Sequence, residues 1–143
     1  MPSIPVPPAR LSDEVVALRG IAEWDIPEIL IAYQDDRELH VSLGRERQPT
    51  GAELGRQVER SEAERLAGST ISLTLVEPGG NDCRGRLDVS GIDWEAGSAE
   101  LSVWVAPGYR GQGLAAHALA LVEDWLRAEV GLQTLTVRAR VDD

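Results

Sequence analysis

The stretch that decides the fold is residues 99–130, AELSVWVAPGYRGQGLAAHALALVEDWLRAEV. Its first part alternates Leu101, Val103 and Val105 with other residues, which is the period of a β-strand. Pro107 ends this strand because proline has no amide hydrogen to donate. After a turn rich in glycine, apolar residues recur at helical spacing: Leu114, Ala118, Leu121, Val122, Trp125 and Leu126. The stretch therefore predicts a strand, a tight turn and an amphipathic helix.

The turn between this strand and helix has the features of an anion site. The first N–H groups of a helix have no intrahelical partner, and the helix dipole adds partial positive charge there. Gly111 and Gly113 leave room for a phosphate to approach the backbone, and Arg110 can add a charge-assisted contact. A turn that uses glycine only for its geometry is the alternative interpretation of so short a motif.

The pattern V-x-P-x-x-R-G-x-G-L-A, which starts at Val105 and ends at Ala115, resembles the acyl-CoA signature of the GNAT superfamily of N-acetyltransferases. The chain from Leu11 onward is similar to the branch that contains ribosomal-protein N-terminal acetyltransferases, and the similarity is tightest over residues 91–115. A Rossmann fingerprint would need G-x-G-x-x-G and an acidic residue after the next strand, and no third glycine follows Gly113 at that spacing. The resemblance implies an α/β fold with a mixed, mostly antiparallel sheet flanked by helices.

The resemblance also implies a reaction and a donor. The reaction is transfer of an acetyl group from acetyl-CoA to a primary amine, either a protein N-terminus or a small molecule, by direct attack in a ternary complex. A non-catalytic acyl-CoA-binding domain, and an unrelated α/β domain that binds another phosphate ligand, are the alternatives. Acetyl-CoA and an amine acceptor are the expected partners, and no metal is expected, since His40 and His117 are too few and too far apart for a metal site.

By the same resemblance, the strands before and after the long helix splay apart, and the pantetheine arm of acetyl-CoA lies between them. The free backbone of Val103, Trp104 and Val105 would hydrogen-bond this arm, and an N–H near Val105 would polarise the thioester carbonyl. Trp104 either neighbours the acetyl group or is simply a core aromatic. The pyrophosphate would lie on the turn made by Arg110, Gly111, Gln112, Gly113, Leu114 and Ala115.

A carboxylate is needed to take the proton of the acceptor, because a free alkylamine has a pKa of about 10 and attacks only when neutral. Glu100 is the first candidate for this base, since it lies on the cofactor strand and alternates away from Leu101 and Val103. Asp88 on the neighbouring strand is the second. The alternative for Glu100 is a structural role, as a glutamate that orders a loop or pairs with an arginine.

Charge and composition narrow the partners. The chain has 14 basic residues, all arginine, against 24 acidic ones, for a net charge of −10. This balance disfavours nucleic acid and is compatible with a cationic acceptor, or with solubility alone. No apolar run is long enough for a membrane span or a signal peptide, so a cytoplasmic location without membrane contact is expected. The single cysteine, Cys83, fits a reducing compartment and is expected to be inert.

The remaining elements are predicted from periodicity and caps. Residues 1–10 are expected to form a flexible arm, and residues 11–143 one acyl-CoA-binding domain. A strand is expected over 14–21, a helix capped by Asp25, and a helix with Thr50 and Glu53 as a capping box that extends to Leu66. Residues 34–49 read as a polar loop that borders the acceptor site in the family. Strands over 71–75, 83–92 and 99–105 form a meander, and a crossover leads to a parallel strand over 132–141.

The last strand carries two further expectations. The GNAT resemblance implies a C-terminal helix and final strands beyond it, so the domain is expected to be incomplete at its C-terminus, without the tyrosine that serves as general acid and with impaired activity. Residues 132–141 would then form the edge of the sheet. Because exposed edges pair with other chains, they offer a surface for a homodimer.

Overall fold

Five strands form one mixed sheet in the computed structural model, which describes residues 3–7 and 11–142. The strands are β1 (Ala17–Gly20), β2 (Ile71–Val76), β3 (Gly85–Asp93), β4 (Ser98–Val105) and β5 (Thr134–Val141). They lie in the order β1-β2-β3-β4-β5. The β1–β2, β2–β3 and β3–β4 pairs are antiparallel, and the β4–β5 pair is parallel. The predicted meander, the parallel crossover and the mostly antiparallel mixed sheet are thereby confirmed.

Helices cover both faces of this sheet. They are α1 (Ile26–Asp35), α2 (Leu39–Ser42), α3 (Gly51–Leu66) and α4 (Leu114–Trp125), and a π-helical turn, Leu126–Val130, extends α4. The larger core lies between α4 and the face of the sheet that carries Leu101 and Val103. A smaller core on the other face contains Tyr33 from α1, Leu54 from α3 and Trp104 from β4. The alternation of β4 thus sends successive side chains into two different cores.

One of the two predicted helix caps is confirmed in full, whereas Asp25 is the N-cap residue of α1 by position but does not cap it with its side chain. In α3, the Glu53 N–H donates to Thr50 Oγ1 at 3.1 Å and the Thr50 N–H donates to Glu53 Oε1 at 3.0 Å, which is a complete capping box. Asp25 makes no such contact with the first turn of α1. Its φ and ψ, −76° and −22°, are already helical, and its carboxylate is engaged elsewhere.

The carboxylate of Asp25 connects α1 to the sheet instead. Arg19 donates to both oxygens at 2.7 and 2.9 Å, and the Ala22 N–H and the Thr74 hydroxyl donate at 2.9 and 2.8 Å. Asp25 is fully buried. Burial by itself raises the pKa of this carboxyl, but the four donors outweigh burial and hold the pKa below its usual value. The group is therefore a buried, hydrogen-bonded anion.

Two strands begin later than the alternation predicts. The Val15 and Val16 N–H groups donate to Asp13 Oδ1 at 2.7 and 2.9 Å, so this side chain forms a turn where β1 was expected. The third strand was expected from Cys83, but β3 starts at Gly85. At Gly85 the strands approach so closely that a Cβ would lie 2.2 Å from the carbonyl oxygen of Trp104.

The N-terminal segment also differs from expectation in its described part. Residues 1–10 were expected to be a flexible arm, yet Ile4 is fully buried. The Ile4 N–H donates to the Arg65 carbonyl at 2.9 Å, and Arg65 Nη1 donates to the Ile4 carbonyl at 2.6 Å. An apolar side chain and two hydrogen bonds thus hold this segment against the end of α3. Residues 1–2, 8–10 and 143 lie outside the described part of the chain.

Within the described ranges, no helix has both the length and the apolar character that crossing a bilayer requires.

Candidate active site

The predicted glycine turn lies between β4 and α4 and has an unusual backbone. Gly111 and Gly113 have φ angles of 79° and 81°, a region that glycine occupies without strain. Gly113 is the N-cap residue of α4, and no side chain caps this end of the helix. A Cβ at Gly111 would meet no atom within 4 Å, so the space beside Gly111 is open, whereas a Cβ at Gly113 would lie 3.5 Å from His117 Cδ2. Uncapped N–H groups beside open space fit a phosphate group.

Arg110 has partners inside the protein that the sequence does not predict. Its Nε donates to the Val105 carbonyl at 2.8 Å, and its Nη2 donates to Asp36 Oδ2 at 2.8 Å. The Arg110 side chain is 15% exposed and that of Asp36 20%. Asp36 follows α1, so this ion pair joins the glycine turn to the loop after α1. No sequence signal could identify Asp36, because it lies 74 residues away along the chain.

The predicted gap between β4 and β5 is not open in this structure. The strands pair along their length, and Val103 and Trp104 lie opposite Arg140 and Val141. The Gly111 N–H donates to the Asp142 carbonyl at 3.3 Å, so the chain after β5 also reaches the turn. The β4 backbone at Val103 and Trp104, which was expected to be free, is therefore paired with β5 in this structure. The physical reason is that backbone polar groups pair with each other when nothing lies between them.

A register shift interrupts this pairing in the middle of the two strands. Leu101 lies opposite Val137, whereas Ser102 lies opposite Ala139, which leaves Arg138 as an extra residue on β5. An extra residue bends its strand and weakens the ladder locally. The shift thus separates the end of the pair beside the glycine turn from the rest of the β4–β5 ladder.

A cleft of about 680 Å³ lies on the sheet face opposite α4. Its floor is a row of three polar side chains in cross-strand register, Ser72 on β2, Asp88 on β3 and Ser102 on β4. Residues 43–49 from the predicted polar loop line its upper side, and α1 and α3 contribute walls. Alternation marks each floor residue as facing away from the main core, but only the strand register brings the three together.

A buried arginine positions the carboxylate in this floor. Arg86 is 3% exposed, its Nε donates to the Leu73 carbonyl at 2.9 Å, and its Nη2 donates to Asp88 Oδ1 at 2.9 Å. The second oxygen of Asp88 has no hydrogen bond to the described part of the chain. Sequence reasoning missed Arg86, although its place in the alternation, two residues before Asp88, was the available signal.

Glu100 lies at the margin of the cleft. It is opposite Ser90 on the same polar sheet face, and Ser90 lines the cleft although Glu100 itself does not. Its side chain is 45% exposed, and its ion-pair contact is Arg138 Nη1 at 3.7 Å. The two interpretations of Glu100, a base and an arginine partner, are therefore both compatible with its position.

Trp104 belongs to the smaller core and to the cleft. It is 5% exposed, and its ring meets Tyr33 edge to face, with centroids 5.7 Å apart and an interplanar angle of 63°. Both rings line the cleft. Burial raises the pKa of the Tyr33 hydroxyl, which keeps it neutral. The indole thus helps to form the apolar end of the cleft beside β4.

Two other candidate residues have structural surroundings. Cys83 is buried, and burial raises the pKa of its thiol to about 12, so a reactive thiolate is disfavoured, as expected. The side chain of His117 is 42% exposed, and its Nδ1 lies 2.6 Å from Asp13 Oδ2. This contact ties the first turns of α4 to the segment before β1.

Comparison with known proteins identifies the family. The model of the acetyltransferase (GNAT) domain matches residues 16–143, nearly the whole chain. The chain therefore belongs to the GNAT acetyltransferases. Its class of reaction is acetyl transfer from acetyl-CoA to an amine, which makes it an N-acetyltransferase. No curated protein sequence matches the chain significantly.

Solved structures with the same fold include enzymes for different acceptors. An acetyltransferase from Salmonella typhimurium that modifies the N-terminal serine of a 50S ribosomal subunit protein has a TM-score of 0.74 and 15% identity, over 93% of this chain and 75% of that one. Spermidine N-acetyltransferase from Vibrio cholerae, solved with CoA and spermine, has a TM-score of 0.72 and 17% identity, over 86% and 70% of the two chains. At such identities the likeness shows the fold alone.

Proposed function

We propose that this chain binds acetyl-CoA at the glycine turn and transfers its acetyl group to a primary amine held in the cleft, by direct attack within a ternary complex. The observation that carries the proposal is the uncapped start of α4, where Gly111 and Gly113 open the backbone to a phosphate. The cleft on the opposite sheet face supplies a separate place for the amine. Both sites adjoin β4, so donor and acceptor can meet at this strand.

The donor site proposed here comprises the turn from Arg110 to Ala115 and the end of β4. The pyrophosphate lies on the N–H groups of Gln112, Gly113, Leu114 and Ala115, and the thioester end reaches Val103, Trp104 and Val105. For this contact, the end of β5 must separate from β4 beyond the register shift. The role of Arg110 in this site is to hold the turn in shape, through its hydrogen bonds to the Val105 carbonyl and to Asp36.

Glu100 is proposed as the base, acting through water because it stands at the margin of the cleft. An exposed carboxylate on the polar face of β4 can receive the proton that the attacking amine loses. Asp88, which Arg86 holds in the cleft floor, is better placed to orient the ammonium form of the acceptor before it loses that proton.

The exposed edge strand supports a further proposal about assembly. All eight residues of β5 are exposed or partly buried, and no other strand pairs with its outer side among the described residues. We propose that two copies pair along this edge. Sedimentation velocity measures the outcome, and a single monomer species over the accessible concentration range would contradict pairing.

A substitution in the glycine turn tests the donor site. Gly113→Glu places bulk and negative charge where the phosphates bind, so we expect acetyl-CoA binding to be lost in calorimetry. Gly97→Glu is the matched control, because Gly97 has a similar φ of 69° but lies at the opposite end of β4. Both variants introduce the same kind of backbone strain, so a difference between their affinities for acetyl-CoA reports on the donor site. Unchanged affinity of Gly113→Glu for acetyl-CoA would remove the donor-site assignment.

An assay of CoA thiol release in the presence of an amine then distinguishes an enzyme from a domain that only binds acyl-CoA. Amine-dependent release above the rate of hydrolysis supports transfer. Binding without release for any amine would favour the non-catalytic alternative.

A further inference from the structure

Four arginines stand apart from the other described ones. Arg37, Arg45, Arg56 and Arg60 have no carboxylate within 4.0 Å in the described part of the chain, whereas each of the other nine described arginines has one. In a protein with a net charge of −10, carboxylates are abundant, so unpaired arginines are informative. Three of the four line a single recess.

This recess, which we call the arginine recess, has a volume of about 390 Å³ and is bounded by Arg45, Arg56 and Arg60. Arg56 and Arg60 are four residues apart on α3 and therefore share one side of that helix. Arg45 comes from the loop after α2, directly after Gly44, whose φ is 76°. Two separate elements thus direct three cations to the same space.

The arginine recess is continuous with the acceptor cleft. The two share six lining residues, Arg45, Pro49, Glu53, Leu54, Gln57 and Glu64. Of the two shared carboxylates, Glu53 already forms an ion pair, since Arg47 donates to both of its oxygens at 2.6 and 2.8 Å. These hydrogen bonds lower the pKa of Glu53 to about 2. Glu64 is the remaining acidic group, so the recess has a net excess of positive charge.

The whole cleft has no excess of negative charge for a polycation. Its lining contains four arginines and four carboxylates: Arg45, Arg47, Arg86 and Arg138, with Glu46, Glu53, Glu64 and Asp88. A polyamine would therefore meet as many cations as anions, and the arginine recess would repel its far end. A ligand with a cationic end at Asp88 and an anionic end in the arginine recess matches the charges of the lining better than a polycation does.

We infer that the acceptor is an amine that carries an anionic group, with the amine at the Asp88 row beside β4 and the anionic group in the arginine recess. This inference rests on the proposed function and narrows it to a class of acceptor. Asp88 supplies an oxygen that accepts from the ammonium group, and Ser72 and Ser102 stand on either side of it. Guanidinium groups bind carboxylate and phosphate by charge-assisted hydrogen bonds.

The test compares acceptors whose tails carry different charges. The tetrapeptide amides Ser-Asp-Asp-Asp and Ser-Asn-Asn-Asn form one pair, and spermidine is the polycation. β-Alanine, O-phosphoethanolamine and ethanolamine distinguish a carboxylate from a phosphate and from no anion. We expect the acidic peptide to have a kcat/KM at least tenfold above that of the neutral peptide and of spermidine, and this preference to weaken as salt is added.

Variants then locate the preference. The double variant Arg56→Ala/Arg60→Ala should raise KM for the acidic peptide by about three- to tenfold, as expected for exposed ion pairs, and leave KM for the neutral peptide unchanged. Arg37→Ala is the matched control, because Arg37 is also unpaired but does not line the cleft or the recess. Its kinetics with both peptides should equal those of the original protein.

The outcomes separate the inference from the proposed function. If spermidine or the neutral peptide is acetylated as efficiently as the acidic peptide, the inference is overturned and the proposed function stands. If KM for both peptides rises equally in the double variant, the recess does not recognise the anionic group. Acetylation of no amine would overturn the proposed function and this inference with it.

Discussion

Glu100 and Asp88 lie on the same polar sheet face but in different surroundings. Glu100 is half exposed with one distant arginine at 3.7 Å, whereas Asp88 is fixed by the buried Arg86 at 2.9 Å. A carboxylate that reaches solvent can pass a proton onward, and one fixed by a buried arginine can hold a ligand in one orientation. The two groups therefore suit different steps of the same reaction.

Substitution of these residues should separate the two roles. Glu100→Gln should lower kcat by about 100-fold, in the range of general-base effects, without changing the affinity for acetyl-CoA. Glu95→Gln, an exposed glutamate in the turn before β4, is the control and should leave both unchanged. Asp88→Asn should act mainly on KM for the amine. Original rates in Glu100→Gln across pH 6 to 9 (a span chosen about the usual range of catalytic bases) would exclude Glu100 as the base.

Single residues were predictable from sequence where a local pattern defines them. Gly111 and Gly113 follow a strand and start a helix, and Thr50 with Glu53 form a capping box, so short windows were sufficient. Asp36 and the exact surroundings of Arg110 were not predictable, because their ion pair depends on how α1 packs beside the glycine turn. Long-range polar contacts leave no periodic signal.

At the level of elements, the close approach of β3 and β4 should be sensitive to one methyl group. Gly85→Ala would place its Cβ 2.2 Å from the Trp104 carbonyl oxygen, a backbone atom that cannot move without shifting β4. We expect the free energy of unfolding to fall by about 2–3 kcal/mol, as for other overpacked sites.

Gly55→Ala is the opposite control. Gly55 lies inside α3 and a Cβ there would meet nothing within 4 Å, so alanine should raise the free energy of unfolding by up to about 1 kcal/mol. Urea denaturation measures both. Equal stability of the Gly85→Ala variant and the original protein would show that the two strands lie further apart than described here.

The bounds of helices and strands were predicted well where the spacing of hydrophobic residues and the capping residues agree. They were predicted less well where a side chain redirects the backbone. Alternation identified β2 and β4 within one residue at each end, and helical spacing identified the start of α4. Asp13 shortens β1 by accepting two backbone N–H groups, which alternation alone does not indicate. The pairing of β4 with β5 close to the glycine turn is a property of the two strands together, which the alternation of either strand alone does not indicate.

For the whole molecule, Asp25 should couple stability to pH. Its pKa is below the usual value in the folded protein, so the unfolded chain takes up this proton first as the pH falls. The contribution of Asp25 is therefore complete above the pKa of the unfolded chain, near 4, and is lost as the pH falls through the lower folded pKa. Asp25→Asn should lower the free energy of unfolding at pH 7 by about 2–4 kcal/mol.

The same substitution should flatten the loss of stability below pH 4. Asp35→Asn, at the exposed end of α1, is the control and should change neither the stability at pH 7 nor its pH dependence. Urea denaturation at several pH values measures both variants. A parallel acid loss in Asp25→Asn and in the original protein would assign the acid sensitivity to another carboxyl group.

The net charge of the chain does not show where on the molecule its charges lie. An overall charge of −10 is compatible with a cationic acceptor, yet the arginine recess concentrates positive charge at the acceptor cleft. Composition averages over the surface, whereas recognition depends on where α3 and the loop after α2 place Arg45, Arg56 and Arg60. The topology, in contrast, followed from the order of elements, since a crossover of this length requires a parallel pair.

The pairing of β5 with the end of β4 has a kinetic consequence for a donor that inserts between them. Acetyl-CoA would then bind only the fraction of molecules in which the two strand ends have parted, so its apparent affinity is its intrinsic affinity reduced by that fraction. At high donor concentration, the observed rate of association would level off at the rate of strand opening. The hydrogen bond between the Gly111 N–H and the Asp142 carbonyl, at 3.3 Å, is one of the contacts that such an opening would have to break.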